Sequence, residues 1–168
     1  RERLEVFTAN RRPLENVFGV DLIYLNVTRQ NIVMVQYKML EPHESSDQDK
    51  DWVYRPDAKL DDEIGRMRKF SKEHPPGQYE YRLNPQVFYL KFVKRDGALS
   101  NAGIVMPIDH FERLQADPSC KGPRGAVRVS FTSLTGRYLR QGPFLDLIRA
   151  GYIGTTTKTT AHLKELVE

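Results

Sequence analysis

The sequence predicts a mixed α/β domain, and three observations carry that expectation. Two β-branched and aromatic runs, Gly19 to Asn26 and Ile32 to Met39, flank the polar stretch Val27-Thr-Arg-Gln-Asn31, which is the pattern of a β-hairpin. Leu60, Ile64 and Met67 recur at helical spacing between Asp57 and Phe70. A third strand-like run, Val87 to Lys94, follows that helix. At 168 residues, 39% hydrophobic and 29% charged, the chain has the length and composition of one globular domain able to bury a core.

Residues 1–9 suggest a short helix with Leu4 and Phe7 inward, broken by Asn10-Arg-Arg-Pro13. After the hairpin, residues 41–50 contain Pro42, Ser45, Ser46 and several acids, and predict an exposed, mobile loop. Asp57 is the expected N-cap of helix 57–70, with acids in its first turns and bases in its last, as the helix dipole favours. Glu73-His-Pro-Pro-Gly77 ends that unit. In strand 87–94 the residues Phe88, Leu90 and Phe92 share one face, and Asp96-Gly97 is a turn. A short strand at 103–106, a helix at 109–115, a loop at 118–125 and a strand at 126–131 follow, the last with Val127, Val129 and Phe131 inward. Helices over 142–149, closing at Gly151, and after Thr157 complete the chain.

No apolar run approaches the roughly 18–20 residues of a membrane span, and nothing reads as a signal peptide, so no membrane partner is expected. The single Cys120 excludes an internal disulfide and a multi-cysteine zinc site, and fits a cytoplasmic location. The net charge of +4 permits a polyanionic partner. The chain opens on Arg1 rather than Met and ends within a helical stretch, which suggests a domain from a larger polypeptide.

Strand alternation places Gln36 and Lys38 on one face of the second hairpin strand, with Val35 and Tyr37 on the other. Pairing Asn26 with Asn31 sets Asp21 opposite Gln36, and any even-length loop keeps Asp21 on the Gln36/Lys38 face. A carboxylate, an amide and an ammonium on one sheet face suggest a metal and phosphate site. Magnesium takes oxygen ligands, so Asp21, the Gln36 amide oxygen and the Tyr37 carbonyl are candidate ligands. Lys38 is placed to orient or deprotonate a water, or to stabilise charge on a phosphate. The competing structural reading is an Asp21–Lys38 ion pair across the hairpin.

Gly19-Val-Asp21 followed by Gln36-Tyr-Lys38 resembles the PD-(D/E)xK nuclease superfamily, in particular its Mrr-like restriction-endonuclease branch, in which Gln replaces the acid of the (D/E)xK element. The resemblance spans residues 15–95. It implies a restriction-endonuclease-like mixed central sheet flanked by helices, and a magnesium- or manganese-dependent endonuclease acting on double-stranded DNA. It also implies a role as the effector of a bacterial anti-phage defence or restriction system, with a homodimer as one mode of action. By position, Asp21 would bind the metal, Gln36 would complete the metal site and Lys38 would be the catalytic lysine. The family places a helix, often bearing a Glu, and a strand before its Gly-x-Asp strand, whereas only eighteen residues precede Gly19. That part of the core is expected to be missing, shortened or supplied upstream, with Glu15 standing in for the acid and Glu5 a poorer candidate. Residues 1–95 would form the nuclease-like core around hairpin 19–39, and 96–168 a C-terminal elaboration of the same domain.

His43, His74, His110 and His162 lack metal-ligand spacing, and Asp61-Asp62-Glu63 reads as a set of helix-dipole partners. Cys120 has no neighbouring His. Arg66 and Lys69 on the exposed face of helix 57–70, and Lys121, Arg124, Arg128, Arg137 and Arg140 in or beside Gly-rich loops, are the candidate nucleic-acid contacts. A non-catalytic nucleic-acid- or protein-binding module on a similar α/β fold is the alternative function.

Overall fold

β3 (Asn31–His43) is the strand through which every other strand of the sheet is connected. The computed structural model describes residues 1–9, 13–43, 51–94 and 103–167. Within them β1 (Leu4–Thr8) pairs antiparallel with β2 (Leu22–Asn26), and β2 pairs antiparallel with β3. β3 then runs parallel to β5 (Phe88–Lys94), which pairs antiparallel with β6 (Gly103–Pro107). At its far end β3 pairs with β4 (Asp51–Tyr54), and β4 with the two-residue β7 (Val129–Ser130). The parallel β3–β5 connection contains α2 (Ala58–Glu73), the crossover helix that such a pairing needs. The result is a mixed seven-stranded sheet with helices on both faces.

Alternation along the strands decides which helix covers which face. Ile23, Leu25, Ile32, Met34, Phe88, Leu90 and Phe92 point into the core shared with α1 (Pro13–Phe18), α2, α3 (Ile108–Ala116) and α6 (Thr157–Val167). Tyr24, Val33, Val35, Tyr89 and Val105 point the other way, onto Phe144 and Ile148 of α5 (Gln141–Arg149). The C-terminal third therefore supplies α5 to one face and α6 to the other.

The β2–β3 turn is tied to those helices by two asparagines. Asn26 and Asn31 are cross-strand partners. Asn26 Nδ2 donates to the carbonyls of Ile148 (3.0 Å) and Arg149 (3.1 Å), and Asn31 Nδ2 to those of Ile148 (3.1 Å) and Ile153 (2.8 Å). They satisfy the Ile148 and Arg149 carbonyls at the end of α5, which have no partner within the helix, and the Ile153 carbonyl just beyond it. Thr155 closes the same corner, its hydroxyl accepting the Ile32 N–H at 2.9 Å.

α2 is the expected amphipathic helix, with Asp57 Oδ1 accepting the Leu60 N–H at 2.9 Å as N-cap and Leu60, Ile64 and Met67 buried. It runs three residues beyond Phe70. Three expectations are corrected. Residues 4–8 are strand β1, not a helix, because pairing with β2 from Leu4↔Asn26 to Thr8↔Leu22 outweighs a local pattern only nine residues long. Glu41 to His43 continue β3 rather than opening a loop, and pair with β4, which the sequence reading missed. The strand expected over 126–131 is ordered as β only at Val129–Ser130, and Phe131 opens α4 (Phe131–Leu134). There the Ser130 hydroxyl accepts the Ser133 N–H and the Ser133 hydroxyl accepts the Ser130 N–H, a reciprocal cap that stops the strand. Ahead of Gly19 stand both a strand, β1, and a six-residue helix, α1, which carries Glu15. The Asn10 to Arg12 break, most of the acidic loop (44–50) and the Asp96-Gly97 turn lie outside the described residues.

Candidate active site

The β2–β3 register runs from Asn26↔Asn31 to Leu22↔Val35, the even-loop alignment that puts Asp21 level with Gln36. Asp21 ends the ladder rather than extending it. Its N–H donates to the Val35 carbonyl at 2.9 Å, and its carboxylate Oδ2 accepts the Tyr37 N–H at 2.7 Å. In a strand the N–H and C=O of one residue point to the same edge, so the Tyr37 carbonyl opens on the edge of β3 that Asp21 borders. Half-burial pushes the Asp21 carboxyl above its ordinary pKa, the Tyr37 hydrogen bond opposes this, Glu15 reinforces it and Lys38 opposes it. Glu15 and Lys38 thus both lie within electrostatic reach of Asp21. Among the described residues Asp21 and Lys38 form no ion pair.

Gln36 is 4% exposed and faces α2, where its side-chain Nε2 donates to Oε2 of Glu63, itself 2% exposed. The sequence reading took Glu63 for a dipole partner of its helix. Its burial was legible in the spacing, since Glu63 is three residues from Leu60 and four from Met67 and so falls on the inward stripe. Gly19, at φ +67°, lies against both side chains, and a Cβ there would collide with Glu63 Oε2 and Gln36 Nε2. A carboxylate can only accept, so Glu63 fixes which end of the Gln36 amide is nitrogen. Gln36 Oε1 is then buried with no hydrogen-bond partner.

Lys38, part-buried, is two residues further along the same face, its Nζ 6.0 Å from the centre of the Tyr54 ring. Burial pushes the Tyr54 phenol strongly up, so it remains a hydroxyl, and its oxygen is buried without a partner. Tyr37, Lys38, Tyr54, Arg55 and Asp57 line a cavity of about 530 Å³.

The oxygens available for a cation are therefore an Asp21 carboxylate oxygen, the unpartnered Gln36 Oε1 and the Tyr37 carbonyl. One carboxylate among neutral oxygens is a donor set that a hard divalent ion accepts when water completes its shell. Among the described residues no three His, Cys, Asp or Glu side chains form a metal-binding group.

The opposite face carries a residue the sequence reading did not single out. Lys91, 8% exposed, pairs with Tyr37 in the β3–β5 register, and its Nζ donates to Gln141 Oε1 at 2.9 Å and lies 5.7 Å from the Tyr37 ring centre. Burial lowers its pKa.

The candidate nucleic-acid contacts are dispersed. Arg66 and Lys69 are exposed on α2, and Arg66 Nε donates to the Val17 carbonyl, tying α1 to α2. Arg137 is exposed, its Nε donating to the Leu134 carbonyl at 3.3 Å, and Arg140 is exposed at the start of α5. Lys121, exposed, bridges to Val127. Arg124 and Arg128 converge on a second cavity with His43 and Arg55, neither of which the sequence reading placed in a site. No helix among the described residues is long and apolar enough to cross a membrane. No family model matches this chain, and neither a curated protein nor a solved structure shows significant similarity to it.

Proposed function

We propose that the chain is a magnesium- or manganese-dependent DNA endonuclease domain with a restriction-endonuclease-like core of the PD-(D/E)xK, Mrr-like kind. The observation that carries this reading is the Asp21–Tyr37 hydrogen bond, which keeps the carboxylate beside Gln36 and Lys38 without an ion pair consuming the ammonium. The antiparallel neighbours β1, β2 and β3, with α1 between the first two, followed by α2 and a strand parallel to β3, support the same reading.

Asp21, Gln36 through Oε1 and the Tyr37 carbonyl would hold the cation. Bound there, it would supply polarisation of a phosphodiester oxygen and activation of a water near neutral pH. Lys38 orients the attacking water or takes its proton, and steadies charge on the phosphate. Glu63 acts through Gln36 as a positioning residue, and Glu15 adds negative potential beside Asp21. The role as effector of an anti-phage system, within a larger polypeptide and as a homodimer, belongs to the same proposal.

Relaxation of supercoiled plasmid by the full chain in magnesium, abolished by chelation and by Lys38→Ala, is the expected result. Equal cleavage by wild type and Lys38→Ala would overturn it. The Gln36–Glu63 contact favours a second reading, in which Gln36 is structural and the cleft only binds nucleic acid or a protein. That reading predicts salt-sensitive binding with no metal-dependent cleavage.

A further inference from the structure

Beyond the Lys38 cleft, a cavity of about 380 Å³ lies between the end of β3 and the loop leading to β7, lined by His43, Arg55, Pro123, Arg124, Val127 and Arg128 among others. It neighbours the 530 Å³ cavity: His43 and Arg55 line both. Its volume is within the range of pockets that hold small molecules.

Three arginines line it, and no carboxylate is among its described lining residues. Among the described residues no ion pair involves Arg55, Arg124 or Arg128. Arg128 Nε is buried with no hydrogen-bond partner at all, a donor desolvated with nothing to receive its proton. Guanidinium forks match phosphate oxygens in pairs, and their flat faces stack on aromatic rings. The wall beside them is apolar, formed by Pro123, Ala126 and the buried Val127. A ligand that uses both halves carries a phosphate and a planar, weakly polar ring.

We propose that this cavity is a nucleotide subsite, taking a phosphate on Arg55, Arg124 and Arg128 and a base against Pro123 and Val127. The nucleotide is either a unit of a strand lying across the Lys38 cleft or a free mononucleotide. The strand form rests on the nuclease reading of that cleft; the free form does not.

Binding of a labelled single-stranded oligonucleotide and of dAMP to the full chain, in chelator so that nothing is cut, tests this. Arg55→Gln and Arg124→Gln, both at exposed positions, should each weaken oligonucleotide binding by on the order of tenfold and lower the salt slope by about one. Lys158→Gln on exposed α6 should change neither. Arg-dependent binding of dAMP without oligonucleotide binding establishes the free form. Affinities and slopes unchanged by both arginine variants overturn the subsite. Inorganic phosphate competing as well as dAMP also overturns it, because the base then contributes nothing. Arg-dependent binding by a wild type that never cuts in magnesium keeps the subsite and removes the nuclease reading. Cutting with Arg-independent binding does the reverse.

Discussion

The Asp21 carboxylate accepts the Tyr37 backbone N–H at 2.7 Å, one residue before Lys38 in β3. This bond does not need a charge. In Asp21→Asn the amide oxygen keeps it while the buried negative charge, which half-burial disfavours, is removed. We expect a melting temperature equal to or above that of wild type, together with loss of magnesium-dependent cleavage. A lower melting temperature would show that the carboxylate is structural.

Gly19, Gln36 and Glu63 form a unit with no spare volume. Gly19→Ala places a Cβ on the Glu63 carboxylate and strains a left-handed backbone, so a loss of about 2–4 kcal/mol is expected in urea unfolding. Glu63→Gln preserves size and an acceptor oxygen, and should cost about 1–2 kcal/mol. If Glu63 serves to orient Gln36 Oε1 as a cation ligand, Glu63→Gln also raises the magnesium concentration needed for half-maximal cleavage, which a purely structural role would leave unchanged.

Lys91 gives a pH signature. Burial lowers its pKa below the ordinary value of 10.5, so between the folded and unfolded values the unfolded chain binds more protons. Stability contributed through this group therefore rises with pH across that interval, and the penalty is fully present below the folded value. Lys91→Met should gain on wild type most near neutrality, with the gap closing as pH approaches 10. A gap independent of pH in urea unfolding from pH 7 to 10 would mean that Lys91 carries no such penalty.

Asn26 and Asn31 both donate to the Ile148 carbonyl. Each alanine substitution should cost about 1–3 kcal/mol, and the double variant less than the sum, because the first already loosens the α5 end. Strict additivity in a double-mutant cycle would argue that the two asparagines act independently.

The hairpin was legible because alternation fixes the faces of each strand and a polar stretch marks the turn; the structure supplies the even-loop Asn26↔Asn31 register that brings Asp21 level with Gln36, where an odd loop would have split the trio. Helix α2 was legible from its cap and stripe; the same stripe holds Glu63, whose signal was masked because acids near a helix start have a ready electrostatic explanation. β4 pairs with Glu41 to His43, a stretch whose proline and acids read as a loop, whereas β1 and β7 are set by partners distant in sequence, which no local window contains. Arg55 and His43 escaped for the same reason: only the fold brings them to the loop that carries Arg124 and Arg128.

β2 leaves β3 at Val35 and β4 joins it at Glu41, so residues 36–40 are paired to β5 alone. Asp21 covers the first free peptide group of that interval through Tyr37, and by the two-residue repeat the Met39 N–H faces the same way. The floor of the cleft is thus partly main chain, which no side-chain substitution deletes. Residual affinity in a Lys38→Ala protein would then measure the contribution of the backbone.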